Sequence, residues 1–330
     1  MNKRNNVTST FGVISRKYSI LMVLVVLFII FSFMNKNFLS ARNLSNVSRQ
    51  ISVTTILAFG QTILIICGML DLSSASVLSL AGVLSVAAFK MTNSMVLAFA
   101  IAIGISVACN ILNGFMVTKL KMAPFIATLA MQAMARGGAL MYTNGQNIYQ
   151  IGGYVSVGQG YVLSFIPTPV IFLILTLIVT WYILTNTAFG RTLYAIGGNE
   201  AAANASGINV NKSKMMAFVI NGVFVGIAGV LFMSRVNAGL PNGAQGYETI
   251  ALTSSVIGGT SFSGGIGTAG GTVIGAFIVG FLNNIMNLQN VNSYLQQIVR
   301  GAIITFAVSY DVLSKTKRSK KHIGNIEKKK

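Results

Sequence analysis

The sequence predicts an all-α polytopic membrane protein of about ten transmembrane helices, one of them short or discontinuous. Three observations predict it. Hydrophobic residues make up 53% of the 330-residue chain and charged residues only 9%, against about a quarter charged in soluble domains. Long apolar runs recur along nearly the whole length, separated by short polar strips. Five acidic residues cannot clothe the surface of a soluble globule of this size. A disordered chain, a disulfide scaffold and most cytosolic enzymes are thereby excluded.

Crossing the hydrocarbon takes about 20 mostly apolar residues. Runs of that kind occupy residues 18–34, 51–68, 72–89, 95–117, 124–142, 165–184, 215–233, 272–288 and 293–310. A shorter run, 247–259, is polar at its start and ends in glycines, and it brings the count to ten. Pro124, Pro167, Pro169 and Pro241 all fall at run ends or in loops, where the missing N–H costs least. The first run follows Lys3, Arg4, Arg16 and Lys17, as in a secretory signal. No small-residue cleavage site follows it and nine further runs do, so it reads as an uncleaved anchor. The chain divides into a cytoplasmic N-terminal segment 1–17, a transmembrane domain 18–310 with a long inner loop at 185–214, and a basic tail 311–330.

With the N-terminus inside, seventeen Lys and Arg fall on inner segments. Six fall on outer ones: Lys36, Arg42, Arg49, Lys90, Arg136 and Arg235. Cations gather on the cytoplasmic side, so both termini are predicted to be cytoplasmic. The net charge of +19 does not form the single basic face that grips phosphates, and no nucleic-acid partner is expected. The lysine-rich stretch 315–330 reads instead as an anchor near anionic headgroups, which attract each cation by about 1 kcal/mol. Cys67 and Cys109 fall inside apolar stretches and read as small core residues.

Gly222, Gly226 and Gly229 recur at helical spacing in the 215–233 run, and Gly271 and Gly275 are four apart. Small residues at such spacing let helix backbones approach closely, either within the chain or at a seam between copies. The stretch 258–271, GGTSFSGGIGTAGG, contains a G-x-G-x-x-G at Gly265, Gly267 and Gly270. It lacks the flanking strand and the acidic residue about 20 positions on that dinucleotide binding needs. No G-x-x-x-x-G-K-[ST] occurs either, so the chain has no nucleotide-binding loop of its own. A glycine-rich break between spans marks a discontinuous helix or tight re-entry, buried in protein or facing water.

The inner loop is the most informative stretch. Asn199 is a good N-cap, Glu200 suits the positive end of a helix, alanines propagate it, and Gly207 supplies a left-handed stop. The product is a cytoplasmic helix over 200–206. It is too short to be stable alone, and its small side chains offer almost nothing to lipid. It reads as a knob that docks into a partner's cleft, against the plainer reading of a surface turn.

At this loop a family resemblance emerges. GRTLYAIGGNEAAANASGINVNK, then GVFVGIAGV and YETIALTSSVIGGTSFSGGIGT, resembles the sugar permease subunits of bacterial ATP-binding-cassette importers of the ribose, galactose and xylose type. CGMLDLSSASVLSLAG, APFIATLAM, YTNGQ and FLNNIMNLQNVNSYLQQIVRGAIITFAV also match, and the likeness runs from about Phe38 to Asp311. The chain departs from the family at Met69 with Leu70 and at Ser74 with Ala75. The resemblance implies a permease of the bacterial cytoplasmic (inner) membrane that carries a monosaccharide, a ribose-like pentose or galactose-like hexose. It implies a homodimer or a pair with a similar permease, two cytoplasmic ATPase subunits below and an extracytoplasmic sugar-binding protein above. The chain itself would need no cofactor, ATP being bound by the partner, and would not be an enzyme. The family's ATPase-coupling segment carries over onto Gly198, Asn199, Glu200, Ala201, Ala202, Ser206 and Gly207.

Polar residues within apolar runs are costly, at about 2.5–3.5 kcal/mol for a central charge. Arg300 shares a face with Gln296 and Gln297, and either lines a passage or snorkels to the outer surface. Asn110, Asn113, Asn221, Asn283, Asn284 and Asn287, with Gln297, are the other candidates for the translocation pathway. Their amides either meet sugar hydroxyls or bond between helices. Asp71 and Glu248 sit at segment ends, as partners of cations or helix caps, and His322 has no role in this scheme. The alternative is an ion-coupled secondary transporter of a small polar solute. The absence of a mid-span carboxylate counts against proton relays, though sodium coupling through carbonyls stays open. A membrane enzyme is disfavoured because no His, Cys and carboxylate cluster exists.

Overall fold

A computed structural model describes residues 19–306 and 308–309. The predicted segments 1–17 and 311–330, and with them both termini, lie outside the described residues. What is described is a helical bundle arranged around two central helices, α2 (Ala41–Ile66) and α10 (Val210–Val236). Every residue of 51–66 in α2 is buried, which fits a mostly apolar stretch whose Ser, Thr and Gln side chains bond within the bundle: a helix without a polar face belongs in the middle. Around this pair stand α1 (Ser19–Met34), α3 (Ser74–Thr92), α4 (Met95–Thr118), α5 (Pro124–Thr143), α7 (Thr168–Asn186), α12 (Ala269–Leu288) and a last helix, α13, over 293–306.

Among the described residues, six helices (α2, α3, α4, α7, α10 and α12) are long and apolar enough to cross a membrane. The outer helices turn large apolar side chains outward, among them Val25, Val96, Phe125, Ile178 and Ile298. Exposed apolar surface on this scale needs a bilayer or a partner to cover it.

Local chemistry sets the ends. Ser40 caps α2 and Ser94 caps α4 through their hydroxyls. Pro124 opens α5, where its missing N–H goes unnoticed. The predicted run 165–184 starts later as a helix, because Ile166–Pro167 forms β2, paired antiparallel with β1 (Tyr161–Val162). Pro169 then seats α7. With the short α6 (Val155–Gln159), this hairpin caps one end of the bundle. Arg49 of α2 holds it by donating to the Gln159 carbonyl at 2.5 Å and lying 4.6 Å over the Tyr161 ring. The inner loop holds a helix the sequence reading did not foresee, α8 (Ala188–Gly198). It is capped by Thr187 and buries Leu193 and Ile196.

Two expectations need correction. Asp71 lies between α2 and α3, at the segment end read from sequence, but no cation pairs with it among the described residues and the fold buries it. After Ile66 the chain folds back beside α2, with the Met69 N–H bonded to the Leu64 carbonyl at 2.9 Å. Gln61 donates to the Asp71 carbonyl and to the Ser74 hydroxyl. This re-entrant stretch of 67–73 carries Asp71 to full burial inside the bundle. Arg136, counted from sequence among flanking cations, lies within α5.

The glycine spacing reflects packing within the chain. A Cβ on Gly226 would stand 2.7 Å from Ile103 Cα, and one on Gly222 2.8 Å from Val107 Cα, both on α4. Gly229 turns instead toward α3, 3.0 Å from the Leu78 carbonyl. Gly271 and Gly275 press against Gly258 and Ser254 of the α11 region. Gly226→Leu is therefore expected to lower the detergent melting temperature by an amount equivalent to about 1–3 kcal/mol or more. An unchanged melting temperature would show that α10 and α4 do not pack this closely.

The short predicted span is α11 (Tyr247–Ile257). It ends in a glycine-rich stretch, 258–268, without regular structure. This stretch is walled by protein: Gly264 and Gly265 lie against Gly197 and Gly198, and the Gly265 N–H donates to the Ile66 carbonyl at 2.9 Å. Irregular backbone packed against protein on one side is the form a membrane protein tolerates where the other side meets water.

Candidate functional site

A cavity of about 810 Å³ opens between α3, α5, α11 and α13. Leu129, Gln132, Ala133 and Arg136 share one face of α5 through their three- and four-residue spacing. Gln297, Arg300, Gly301 and Ile304 do the same on α13, and Gln245, Glu248 and Thr249 enter from the start of α11. The depth follows from helix rise. Arg136 is about 10 Å of helix from the end of α5 and Arg300 about 10 Å from the start of α13, at 1.5 Å per residue. Those ends belong to the face that carries the α6 and β-hairpin cap. The Ile148–Gly239 bridge joins the chain after α5 to the end of α10, where Ser234 accepts from the Gly158 N–H of α6, and Asn43 of α2 pairs with Asn284 of α12.

Arg136 Nη1 donates to the carbonyls of Pro241 and Gly243 at 2.6 and 3.1 Å and to the Ser79 hydroxyl at 3.1 Å. It thereby fastens the loop before α11 onto α3. Glu248 Oε2 is buried without a hydrogen-bond partner, and no ion pair joins it to either arginine among the described residues. The wall thus offers guanidinium donors, a carboxylate acceptor and amides that do both. Its volume lies in the range of small-molecule sites, about 300–1,000 Å³.

Of the eight pathway candidates named from sequence, Gln297 and Arg300 line this cavity. Asn110, Asn113 and Asn221 come together elsewhere, around Asp71. Asn221 Nδ2 donates to Asp71 Oδ2 at 2.7 Å and to Asn110 Oδ1 at 2.9 Å, and Asn113 donates to the Ser73 hydroxyl at 3.0 Å. Ser73 donates to Asp71 through both N–H and hydroxyl. The Asp71 carboxylate is thus met by neutral donors from Ser73, which precedes α3, and from Asn221 of α10. Asn284 exchanges two amide bonds with Asn43, at 3.1 and 2.8 Å. Asn287 accepts from Gln296 at 2.9 Å, and Asn283 is buried on α12. Sequence reading missed Gln132, Arg136, Gln245 and Glu248 as cavity residues. The available signal was Gln132 and Arg136 four apart in an otherwise apolar run.

At the opposite end, the loop folds as its residues dictate. α9 (Glu200–Ala205) is capped by Asn199, whose Oδ1 accepts from the Ala202 N–H at 3.0 Å. Gly207 takes φ +84°, and the Ile208 N–H reaches back to the Ala203 carbonyl at 3.1 Å, closing the helix in a Schellman-type turn. Glu200 pairs with Lys214 at 2.8 Å. Ala203 alone is buried along α9, leaving Glu200, Ala201, Ala202 and Asn204 outward. A groove of about 750 Å³ beside it is bordered by Lys121, Glu200, Ala201, Asn204, Gly207 and Asn211. Below it, Tyr194 of α8 donates to the Gly267 carbonyl at 2.8 Å, and burial pushes its phenol above the usual range. This junction ties the loop to α2 and to the glycine-rich stretch.

The profile of a family described as "Branched-chain amino acid transport system / permease component" matches residues 43–308. The ribose import permease protein RbsC of Bacillus subtilis (strain 168) is 40% identical over 304 residues, covering 91% of this chain and 94% of its own. The L-arabinose transport system permease protein AraH of Escherichia coli (strain K12) is 36% identical over 303 residues, covering 92% of each. The D-allose transport system permease protein AlsC of Escherichia coli (strain K12) is 35% identical over 301 residues, covering 90% of this chain and 92% of its own. No solved structure matches the chain significantly.

Proposed function

The chain belongs to the family described as the branched-chain amino acid transport system / permease component, and we propose that this member passes a monosaccharide through the cavity between α3, α5, α11 and α13. It is a multi-pass membrane protein and the sugar permease subunit of an ATP-binding-cassette importer. The observation that carries the cavity assignment is its lining of two guanidiniums, a carboxylate and several glutamine amides. Each sugar hydroxyl donates one hydrogen bond and accepts others, so such a wall matches a polyol. Leu129, Ala133 and Ile304 add apolar surface to the same wall, which suits the carbon-bound face of a sugar ring.

In this reading the chain crosses the membrane ten times, with α11 and its glycine-rich stretch forming one crossing, and both termini are cytoplasmic. Two permeases stand side by side over two ATPase subunits, with a sugar-binding protein on the outer face. ATP binds to the ATPases, and the outward face of α9 docks into them. The short, alanine-rich helix supports this, since its exposed side chains are small and its own chain covers only Ala203.

The ion-coupled alternative regains some ground from the structure, which places Asp71 inside the bundle and Glu248 on the cavity. Asp71 is enclosed by asparagine and serine rather than open to the cavity. The sugar names of the relatives, at 35–40% identity, favour the ATP-driven reading. Reconstitution in vesicles tests it. Uptake of ribose, arabinose or allose is expected only with the cognate ATPases, the binding protein and ATP. Uptake by the chain alone, driven by a proton or sodium gradient, would overturn the assignment.

A further inference from the structure

On the reading that α9 docks onto the ATPases, from which this follows, we propose that the end of α8 is where their push enters the bundle. Gly197, Gly198 and the Tyr194 hydroxyl are the positioning groups, and they pass the displacement to both irregular stretches, 67–73 and 258–268.

A single residue, Asn199, separates α8 from α9, closing one and capping the other. A displacement of α9 is therefore delivered to the last turn of α8. That turn meets backbone rather than side chains. A Cβ on Gly197 would collide with the Ile66 carbonyl oxygen and stand 2.5 Å from the Gly265 nitrogen. One on Gly264 would stand 2.8 Å from the Gly197 carbonyl oxygen, and one on Gly265 3.0 Å from the Gly198 nitrogen. Three lengths of main chain thus touch at one place: the end of α8, the end of α2 and the turn at 264–265. Within that contact the Gly265 N–H donates to the Ile66 carbonyl at 2.9 Å. Tyr194, one turn earlier in α8, donates its hydroxyl to the Gly267 carbonyl at 2.8 Å, and Leu193 and Ile196 are buried on either side of it in sequence.

Contact of this kind suits transmission. A side chain between two elements takes up small shifts by changing rotamer, whereas touching backbones in a close-packed interior pass them on. The two stretches beyond the contact have no regular structure, so their dihedrals can change without breaking a helical ladder, as hinges do. Each leads to the cavity by a short route. The 258–268 stretch follows α11, a rod of 11 residues or about 16 Å, whose first turns line the cavity with Glu248 and Thr249. The 67–73 stretch runs into α3, which reaches the cavity at Ser76 within its first turn.

Hydrogen exchange of the permease–ATPase complex in nanodiscs, nucleotide-free and trapped with ATP and vanadate, reads the transmission directly. Exchange over 67–73 and over 258–268 is expected to differ between the two states, and indifference to nucleotide in either stretch overturns the proposal. Two variants add a readout that a merely structural role would not move, the sugar transported per ATP by the complete importer in vesicles. Tyr194→Phe removes one hydroxyl and should lower this ratio about threefold or more, the worth of a hydrogen bond, while ATP turnover continues. Gly197→Ala forces the three backbones apart and should lower it about tenfold or more. A wild-type ratio in either assembled variant overturns the proposal as well. Should Gly197→Ala fail to assemble, Tyr194→Phe and the exchange of the unmodified complex decide. An unmodified importer that takes up no sugar with ATP sinks the permease reading itself. Coupled uptake by the unmodified importer, with either overturning result, sinks only the role of the α8 end.

Discussion

Gly207→Val abolishes net sugar uptake by the assembled importer while ATP hydrolysis continues and the permease stays inserted in the membrane. The reason is conformational. Gly207 holds φ +84°, a region that costs a β-branched residue about 1–3 kcal/mol. The turn it closes sets where α9 ends and where α10 begins. A valine there melts or redirects the last turn of α9 without touching the bundle, since a Cβ on Gly207 meets nothing within 4 Å. Glu200→Lys attacks the same knob by charge. It turns the 2.8 Å pair with Lys214 into a repulsion and puts a cation at the positive end of α9. Uptake in vesicles, scored against ATP turnover in the same preparation, checks both variants. A drop of at least about tenfold in transported sugar per ATP, or about 1.4 kcal/mol of lost coupling, is expected. Normal uptake in both would remove α9 from the coupling path.

Asp71→Ala is expected to be the most damaging single change to the fold. The carboxylate gathers the Ser73 N–H, the Ser73 hydroxyl and the Asn221 amide, and Asn221 in turn holds Asn110. Removing it strands several donors where water does not reach. Each stranded group costs about 1–3 kcal/mol, more when its partner was charged. Asp71→Asn restores one acceptor and should recover much of the loss. Melting of the detergent-solubilised chain, followed by tryptophan fluorescence or size-exclusion survival, checks the order wild type, Asn, Ala. Equal melting of all three would mean the cluster is structurally idle. The consequence for function is one of position: 67–73 connects the end of α2, at the α8 junction, to α3, whose Ser76 borders the cavity. A loosened Asp71 cluster is therefore expected to depress uptake even in molecules that remain folded.

The inner loop shows how much local sequence can carry. Asn199, Glu200, the alanines and Gly207 specify a helix start, body and stop within nine residues. The structure shows that helix with its cap and its left-handed exit. Nothing distant is needed for those choices, because N-capping and positive φ are properties of adjacent residues. The preceding α8 escaped the reading for a related reason. Its burial rests on Leu193 and Ile196, too few apolar residues to stand out between two long spans.

The cavity was only half legible. Arg300 and Gln297 stood out as polar residues in an apolar run, and they border it. Arg136 was taken for a flanking charge because hydropathy says how apolar a stretch is and not where a cation near its end points. Glu248 reads as a helix cap, and it does stand in the first turn of α11. That it lines one cavity with Arg136 and Arg300 depends on α3, α5 and α13 converging there. The asparagines show the converse: their amide chemistry suits a sugar equally well, and only packing brought Asn110, Asn113 and Asn221 to Asp71 rather than to the cavity.

By itself, the sequence determined that this chain is helical, membrane-embedded and lacking a nucleotide loop, and it determined the shape of the α9 knob. Hydrophobic length and capping are additive along the chain, so they can be counted residue by residue. Only the tertiary structure decided which polar groups face one another. In a medium without water each buried donor must find an acceptor on another helix. The cheapest pairing is a property of the whole bundle and of no single segment.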